Sequence, residues 1–306
     1  MIRYLVRRLL QGVLTLFCVV TIAFVLGRAS GKPAALLLTE GATAQQIDEL
    51  NGRLGFNRPL GEQYLDYLGG LLRGDFGVSY RNPSAPAITL IAERLPATIS
   101  LALISFAIGL TVAIGAAILI HITGSTRLRA TFVWGGSLRQ AMPDFFFGVV
   151  LVLILSVGLH ALPSLGFTGP LSYVLPVITI ATGQFVLYVR LLDSALSEQS
   201  TQDYVVTAYA RGKSQAAVVV GEMLPNALLP ILTMAGMNLA GLLGGTVIVE
   251  TVFAWPGVGQ VLMQAVSTRD FAVVQAGLLV VAIMFVVVNL AVDLLYPVLD
   301  PRVRLA

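Results

Sequence analysis

Six long apolar runs, separated by polar stretches, set the first constraint on what this chain can fold into. They fall at roughly Leu9–Leu26, Thr98–Ile120, Phe132–Leu159, Leu171–Leu192, Leu228–Val249 and Ala272–Leu295. A hydrocarbon core ~30 Å thick takes ~20 mostly apolar residues per helix, and a segment inside it must satisfy its own backbone N–H and C=O groups. The pattern predicts an all-α polytopic membrane protein with six transmembrane helices. Composition agrees: 11% of the 306 residues are charged and 57% hydrophobic. Soluble domains carry about 25% charge, so this chain cannot cover itself for water.

The first run follows Arg3, Arg7 and Arg8 in the manner of a signal peptide. It exceeds the usual ~7–15 residue apolar region, and the charged exit Gly27–Pro33 spoils a cleavage site, so a retained helix is expected. Basic residues then orient the chain. Arg127 and Arg129, Arg190, Arg211 and Lys213, and Arg302 and Arg304 all lie on the side of Arg3, whereas the short opposite loops hold only Arg269. The positive-inside rule puts both termini in the cytosol. The stretch 28–95 becomes a long external loop and 194–228 a cytosolic one, within a single membrane domain spanning 1–306.

Sites of chemistry are not evident. Gly27–Pro33 imitates a phosphate-binding loop, but it is one residue short between its glycines and has Pro33 where Ser or Thr would hold Mg²⁺. His121 and His160 are the only histidines and fall at opposite membrane faces, so no metal site is expected. Neither has a carboxylate close in sequence, and no catalytic residues are assigned. The single cysteine, Cys18, lies in an apolar run and can form no intrachain disulfide. Nothing points to nucleic acid.

Asp203–Ile231 is the informative interruption. As a surface-bound amphipathic helix it has few basic residues, and Glu198, Asp203 and Glu222 oppose anionic lipid. A protruding short helix accounts for it better. Thr207, Ala208 and Ala210 are small enough for a partner to approach, Gly212 ends the helix with a turn, and Pro225 and Pro230 redirect the chain into span five.

The pattern Val206-Thr207-Ala208, then Gly212, then Glu222-Met223-Leu224-Pro225 resembles the coupling signature of ABC importer permeases. That signature reads Glu-Ala-Ala, three residues, Gly, nine residues, Ile-x-Leu-Pro. Val206 departs from its usual Glu or Arg, and Glu222 from its Ile. Other segments are similar, in order, to the B-type permease of dipeptide, oligopeptide and nickel importers. They are RYLVRRLL at Arg3, LGFNRPLGEQYLDYL at Leu54, GDFGVS at Gly74, RLPATISLAL at Arg94, MPDF at Met142, VETVFAWPGVGQ at Val249, RDFAVVQ at Arg269 and VDLLYPVLDPR at Val292.

The resemblance implies a type I ABC importer permease fold in a bacterial inner or plasma membrane. It implies as partners a C-type permease, two cytosolic ABC ATPase subunits and an external solute-binding protein. ATP and Mg²⁺ would sit on the ATPases and no cofactor on this chain. Asp203, Tyr204, Thr207, Ala208, Arg211, Gly212, Leu224 and Pro225 would engage an ATPase. Gly74, Asp75, Gly77, Trp255, Pro256 and Gly257 would shape the mouth where the binding protein docks. Peptide is the expected cargo, with nickel or another metal chelate as the alternative. A secondary transporter would be expected to carry internal repeats and interrupted helices, and no convincing repeat is found.

Charges inside the spans complete the expectations. Arg139 and Asp144 flank Pro143, which should kink span three. A charge at this depth costs on the order of 2.5–3.5 kcal/mol unless it faces protein or water. The pair would either line the pathway and favour a polar or zwitterionic solute, or form an internal ion pair or a contact with the partner permease. Glu250 stands out similarly. Gly241 and Gly245 form a GxxxG pattern suited to close helix packing.

Overall fold

The computed structural model describes residues 2–29, 34, 42–53 and 55–299. Leu54, residues 30–33 of the Gly27–Pro33 stretch, and Arg302 and Arg304 lie outside the described residues. The described chain is helical, with one isolated extended pairing, Val78 with Pro86. In order the helices are α1 (Ile2–Ala29), α2 (Ala44–Arg53), α3 (Leu60–Leu72), α4 (Ala87–Ala92), α5 (Leu95–Thr123), α6 (Thr126–Gln140) and α7 (Asp144–Leu151). They continue with α8 (Val174–Gln199), α9 (Asp203–Ala210), α10 (Gln215–Val218), α11 (Leu224–Gly245), α12 (Val247–Val252), α13 (Val258–Ser267) and α14 (Phe271–Leu299).

Among the described residues, five helical stretches are long and apolar enough to cross a bilayer: Val6–Ala29, Ala87–Thr123, Pro170–Gln199, Gln215–Gly245 and Phe271–Leu294. A sixth arises only if a bent pair, Thr126–Gln140 with Asp144–Gly158, counts as one span. The bend is 102°, far sharper than the kink expected at Pro143. Pro143 disfavours helix at Met142, and Asp144 opens a new helix. The upstream half is no apolar helix in any case, because Arg127, Arg129 and Arg139 punctuate it.

Pro225 and Pro230 also behave differently from expectation. They do not redirect the chain: helix runs on from Gln215 to Gly245. Val219–Met223 forms a π-helical turn just before Pro225, which sits in the first turn of α11. The π-helical turn widens the backbone ladder next to Pro225, which has no N–H to give to it, and Pro230 is carried inside the helix.

The chain divides into two compact units. The first comprises Met1–Thr98 and Pro256–Val286. Its core gathers Ala87 and Ile91 of α4, Val258, Leu262 and Ala265 of α13, and Ala272, Val273 and Ala276 of α14. Phe24 of α1 packs between Tyr64 and Tyr67 of α3, with ring centroids 5.1 and 5.7 Å away. Asp270, 4% exposed, accepts from Ser79 Oγ and from Tyr80 N at 3.2 Å, which fixes the loop after α3 to the start of α14.

The second unit comprises Ile99–Trp255 and Val287–Ala306. Helix α8 is its axis, burying Val177, Val186, Val189, Leu192 and Leu196 on several sides, as a helix inside a bundle does. Glycines let neighbours close in. A Cβ on Gly109 of α5 would lie 3.0 Å from the Ala181 carbonyl oxygen, and one on Gly136 of α6 3.0 Å from Val186. The tightest crossing is Gly236 of α11 against α14, where a Cβ would lie 2.3 Å from Val292 Cγ1. Val292 is β-branched and cannot swing aside easily. Gly236→Ala is therefore expected to destabilise the protein by ~1–3 kcal/mol through overpacking. A melting temperature in detergent equal to wild type would show that this crossing yields without strain.

Candidate functional site

The segment after α8 folds back on its own unit. Helix α9 turns Val205 and Ala208, 1% and 5% exposed, into a core shared with Ile120, Leu192, Leu196, Val218, Val219 and Met223. Ala208, read as a point of approach for a partner, faces inward instead. The i, i+3 spacing of Val205 and Ala208 places them on one face, and the opposite face presents Val206 (62% exposed), Thr207 and Tyr209 (44%). Tyr209 is absent from the sequence expectations, and Val206 enters them only as a departure from the coupling signature. Val206 and Tyr209 thus leave an apolar pair exposed on the same short helix as Asp203.

Gly212 ends the helix with φ +77°, and Lys213 N reaches the Ala208 carbonyl at 3.3 Å. Ser214 then caps α10, its Oγ accepting from Ala217 N at 3.4 Å. Lys213 forms an ion pair with Glu222 across the turn. Tyr204 links three elements, donating to Gln199 Oε1 at 2.6 Å and accepting from Asn226 Nδ2 at 3.4 Å. Of the remaining expected residues, Pro225 is exposed and Leu224 half-buried at the start of α11.

A polar cluster ties this segment to the helices above it, and no local sequence signal announced it. His121 Nε2 lies 3.0 Å from Asp193 Oδ1, and Arg129 Nη2 lies 3.0 Å from the same oxygen. Gln215 of α10 donates Nε2 to the His121 carbonyl at 2.7 Å. One carboxylate of α8 thus joins the end of α5 to the start of α6, and the α5 end holds the returning loop.

Arg139 and Asp144 are brought together by the bend. Arg139, 9% exposed, donates Nη2 to Asp144 Oδ1 at 2.6 Å and to the Thr179 carbonyl at 2.8 Å. Its Nε reaches Thr182 Oγ1 and its Nη1 the Met142 carbonyl, both at 3.0 Å, and its guanidinium lies 4.1 Å from the Phe147 ring centre. The pair borders a polar cleft of about 470 Å³, walled also by Gln140, Gln184, Asn238, Gly241, Gly245 and Thr246. Gly241 and Gly245 contact no other helix where a Cβ would stand, so within this chain their bareness keeps the cleft open. Glu250 is fully buried and accepts from Thr246 Oγ1 at 3.0 Å.

The expected docking residues separate by burial. Gly74, Asp75 and Gly77 are exposed, with both glycines near φ +78° and Asp75 Oδ1 accepting from Gly77 N at 2.8 Å. Trp255 is 1% exposed and packs on Tyr173 and Phe167, with centroids 4.6 and 5.5 Å away. Its side chain supports its turn from within; Gly257 is buried and Pro256 half-buried. Burial pushes the Tyr67 phenol up to about 12 and raises that of Tyr80 as well.

Comparison with known proteins follows the same lines. The family described as binding-protein-dependent transport system inner membrane component matches residues 126–305. A second, described as the N-terminal part of the binding-protein-dependent transport system membrane component, matches residues 1–102. The glutathione transport system permease protein GsiC of Escherichia coli strain K12 is 33% identical over 308 residues, covering 99% of each chain. The oligopeptide transport system permease protein AppB of Bacillus subtilis strain 168 is 31% identical over 315 residues, covering 99% of this chain and 100% of that one. Among solved structures, a chain of the MetNI methionine ABC transporter in inward-facing conformations matches with TM-score 0.54 at 18% identity. The match covers 69% of this chain and 96% of that one; at this identity it speaks for the fold alone.

Proposed function

Because this chain belongs to the family of inner membrane components of binding-protein-dependent transport systems, we propose that it is the B-type permease of an ATP-driven peptide importer. It forms half of the translocation pathway. The observation that carries the cargo assignment is the full-length similarity to permeases named for glutathione and for oligopeptides, both of them peptides. A metal chelate is left as an outcome of the test below.

In this reading the membrane is a bacterial inner membrane, the bent pair is one of six spans, and both termini and 194–228 face the cytosol. The type I permease fold, the single membrane domain over 1–306 and the external position of 28–95 belong to the same proposal. Two ABC ATPases lie beneath and bind the ATP and Mg²⁺, a C-type permease lies alongside, and a solute-binding protein delivers cargo from outside. Helix α9 seats its outer face, Tyr204, Val206, Thr207 and Tyr209, in a groove of one ATPase. Ala208 and Val205 hold that helix to the bundle, so closure of the ATPases on ATP is transmitted as a push on α5, α8 and α11. Gly74, Asp75 and Gly77 contribute to the external mouth, with the Trp255–Gly257 turn as support. Arg139 and Asp144 border the path.

The test is purification of the tagged chain in mild detergent from its native host, with mass spectrometry of what accompanies it. A second permease, ATPase subunits and a solute-binding protein are expected, and the last should bind peptides. A binding protein that holds a metal chelate would replace peptide by metal. Recovery of the chain alone, under conditions that keep a known importer intact, would refute the assembly.

A further inference from the structure

The cleft beside the bend has a polarity that the two charges alone would hide. Arg139 is the buried end of the pair: Nε, Nη1 and Nη2 all donate within the protein, and Phe147 covers its face. Asp144 is the exposed end. Its side chain is 55% exposed, and Oδ1 is the oxygen committed to Arg139. Gly183 makes room for this arrangement, since a Cβ there would stand 3.3 Å from Asp144 Oδ1 and 3.6 Å from Arg139 Nη2.

We infer that this cleft recognises an ammonium group on the transported peptide, with the exposed carboxylate of Asp144 as its acceptor. The inference rests on the peptide-importer proposal. An ion pair has no net charge, but when its cation is buried and its anion faces a cavity, the cavity wall presents the negative end of a dipole. A low-dielectric surrounding leaves that field poorly screened. An ammonium donates three hydrogen bonds and accepts none, which suits an exposed carboxylate whose Oδ1 alone is committed to Arg139. Arg139 has its donors committed within the protein and offers no free cation to the peptide's carboxylate.

The experiment is uptake of Ala-Lys-Ala, Ala-Ala-Ala and Ala-Glu-Ala by cells carrying wild-type or Asp144→Asn permease with the rest of the importer unchanged. Asparagine keeps an acceptor for Arg139 and removes the charge. The binding protein is the same in both strains, so a changed preference arises in this chain. The Lys-to-Glu uptake ratio is expected to fall about fivefold to tenfold, the size of one partly screened charge contact. A uniform loss across the three peptides, restored by Asp144→Glu, would place the contact on their shared α-ammonium and support the inference. An unchanged ratio with unchanged rates, or a uniform loss that Asp144→Glu leaves in place, overturns it. If Asp144→Asn reaches the membrane poorly, Arg139→Gln/Asp144→Asn removes both charges together and is read by the same ratio. Failure of wild type to take up any of the three peptides would refute the peptide cargo itself, and this inference with it.

Discussion

Ala208→Glu is expected to abolish uptake while the solute-binding protein still captures its ligand. Ala208 is 5% exposed within the core made by Val205, Val218, Val219 and Met223. A carboxylate placed there, with no cationic partner, costs several kcal/mol, roughly a hundredfold or more in the population of docked α9. Gly212→Val should act on the other end of the helix. A β-branched residue at φ +77° is strained by ~1–2 kcal/mol and would turn the chain out of its return toward α10. Both variants must be compared at equal amounts in the membrane, by immunoblot, with ligand binding to the isolated binding protein as the control. Uptake at the wild-type rate from either would sever α9 from the transport cycle.

The second large effect is expected at Asp193. Asp193→Arg places a cation beside Arg129 and His121 in a site where the Asp193 side chain is 18% exposed. Loss of two contacts to a charged group removes ~2 kcal/mol or more, and repulsion adds to it. The helix ends of α5 and α6 should separate, and Gln215 should lose its hold on the His121 carbonyl. Uptake is expected to fall strongly while the purified assembly still hydrolyses ATP, because the fault lies between the ATPase contact and the spans. Arg129→Asp/Asp193→Arg restores opposite charges and should recover much of the uptake, a coupling that a double-mutant cycle reads directly. A double variant no better than Asp193→Arg alone would show that the carboxylate is needed for something other than this pairing.

Much of the architecture was legible residue by residue. The apolar runs marked the five long helices and the bent pair, the break at Pro143 was foreseen though not its angle, and the turn at Gly212 lies where its glycine implied. The inward face of α9 was misread because the helix has eight residues, with Val205, Val206, Ala208 and Tyr209 all apolar, and so lacks a single stripe. Pro225 misled because proline rules describe an ideal α-helix, and a π-helical turn relaxes them. Trp255, expected at a docking mouth, is held inside by Phe167 and Tyr173. Those two rings lie some eighty residues upstream in sequence and no periodicity points to them.

By itself the sequence determined the class of molecule and the family, since crossing a bilayer depends on the length and polarity of a continuous segment and a motif depends on spacing. Both are properties of a one-dimensional string. Only the tertiary structure decided which face of α9 is free, that Asp193 gathers His121 and Arg129 from 72 and 64 residues away, and that Arg139 is enclosed while Asp144 meets the cleft. Burial and hydrogen bonding are settled by what lies nearby in space, and in a bundle of helices most of those neighbours come from other turns of the chain.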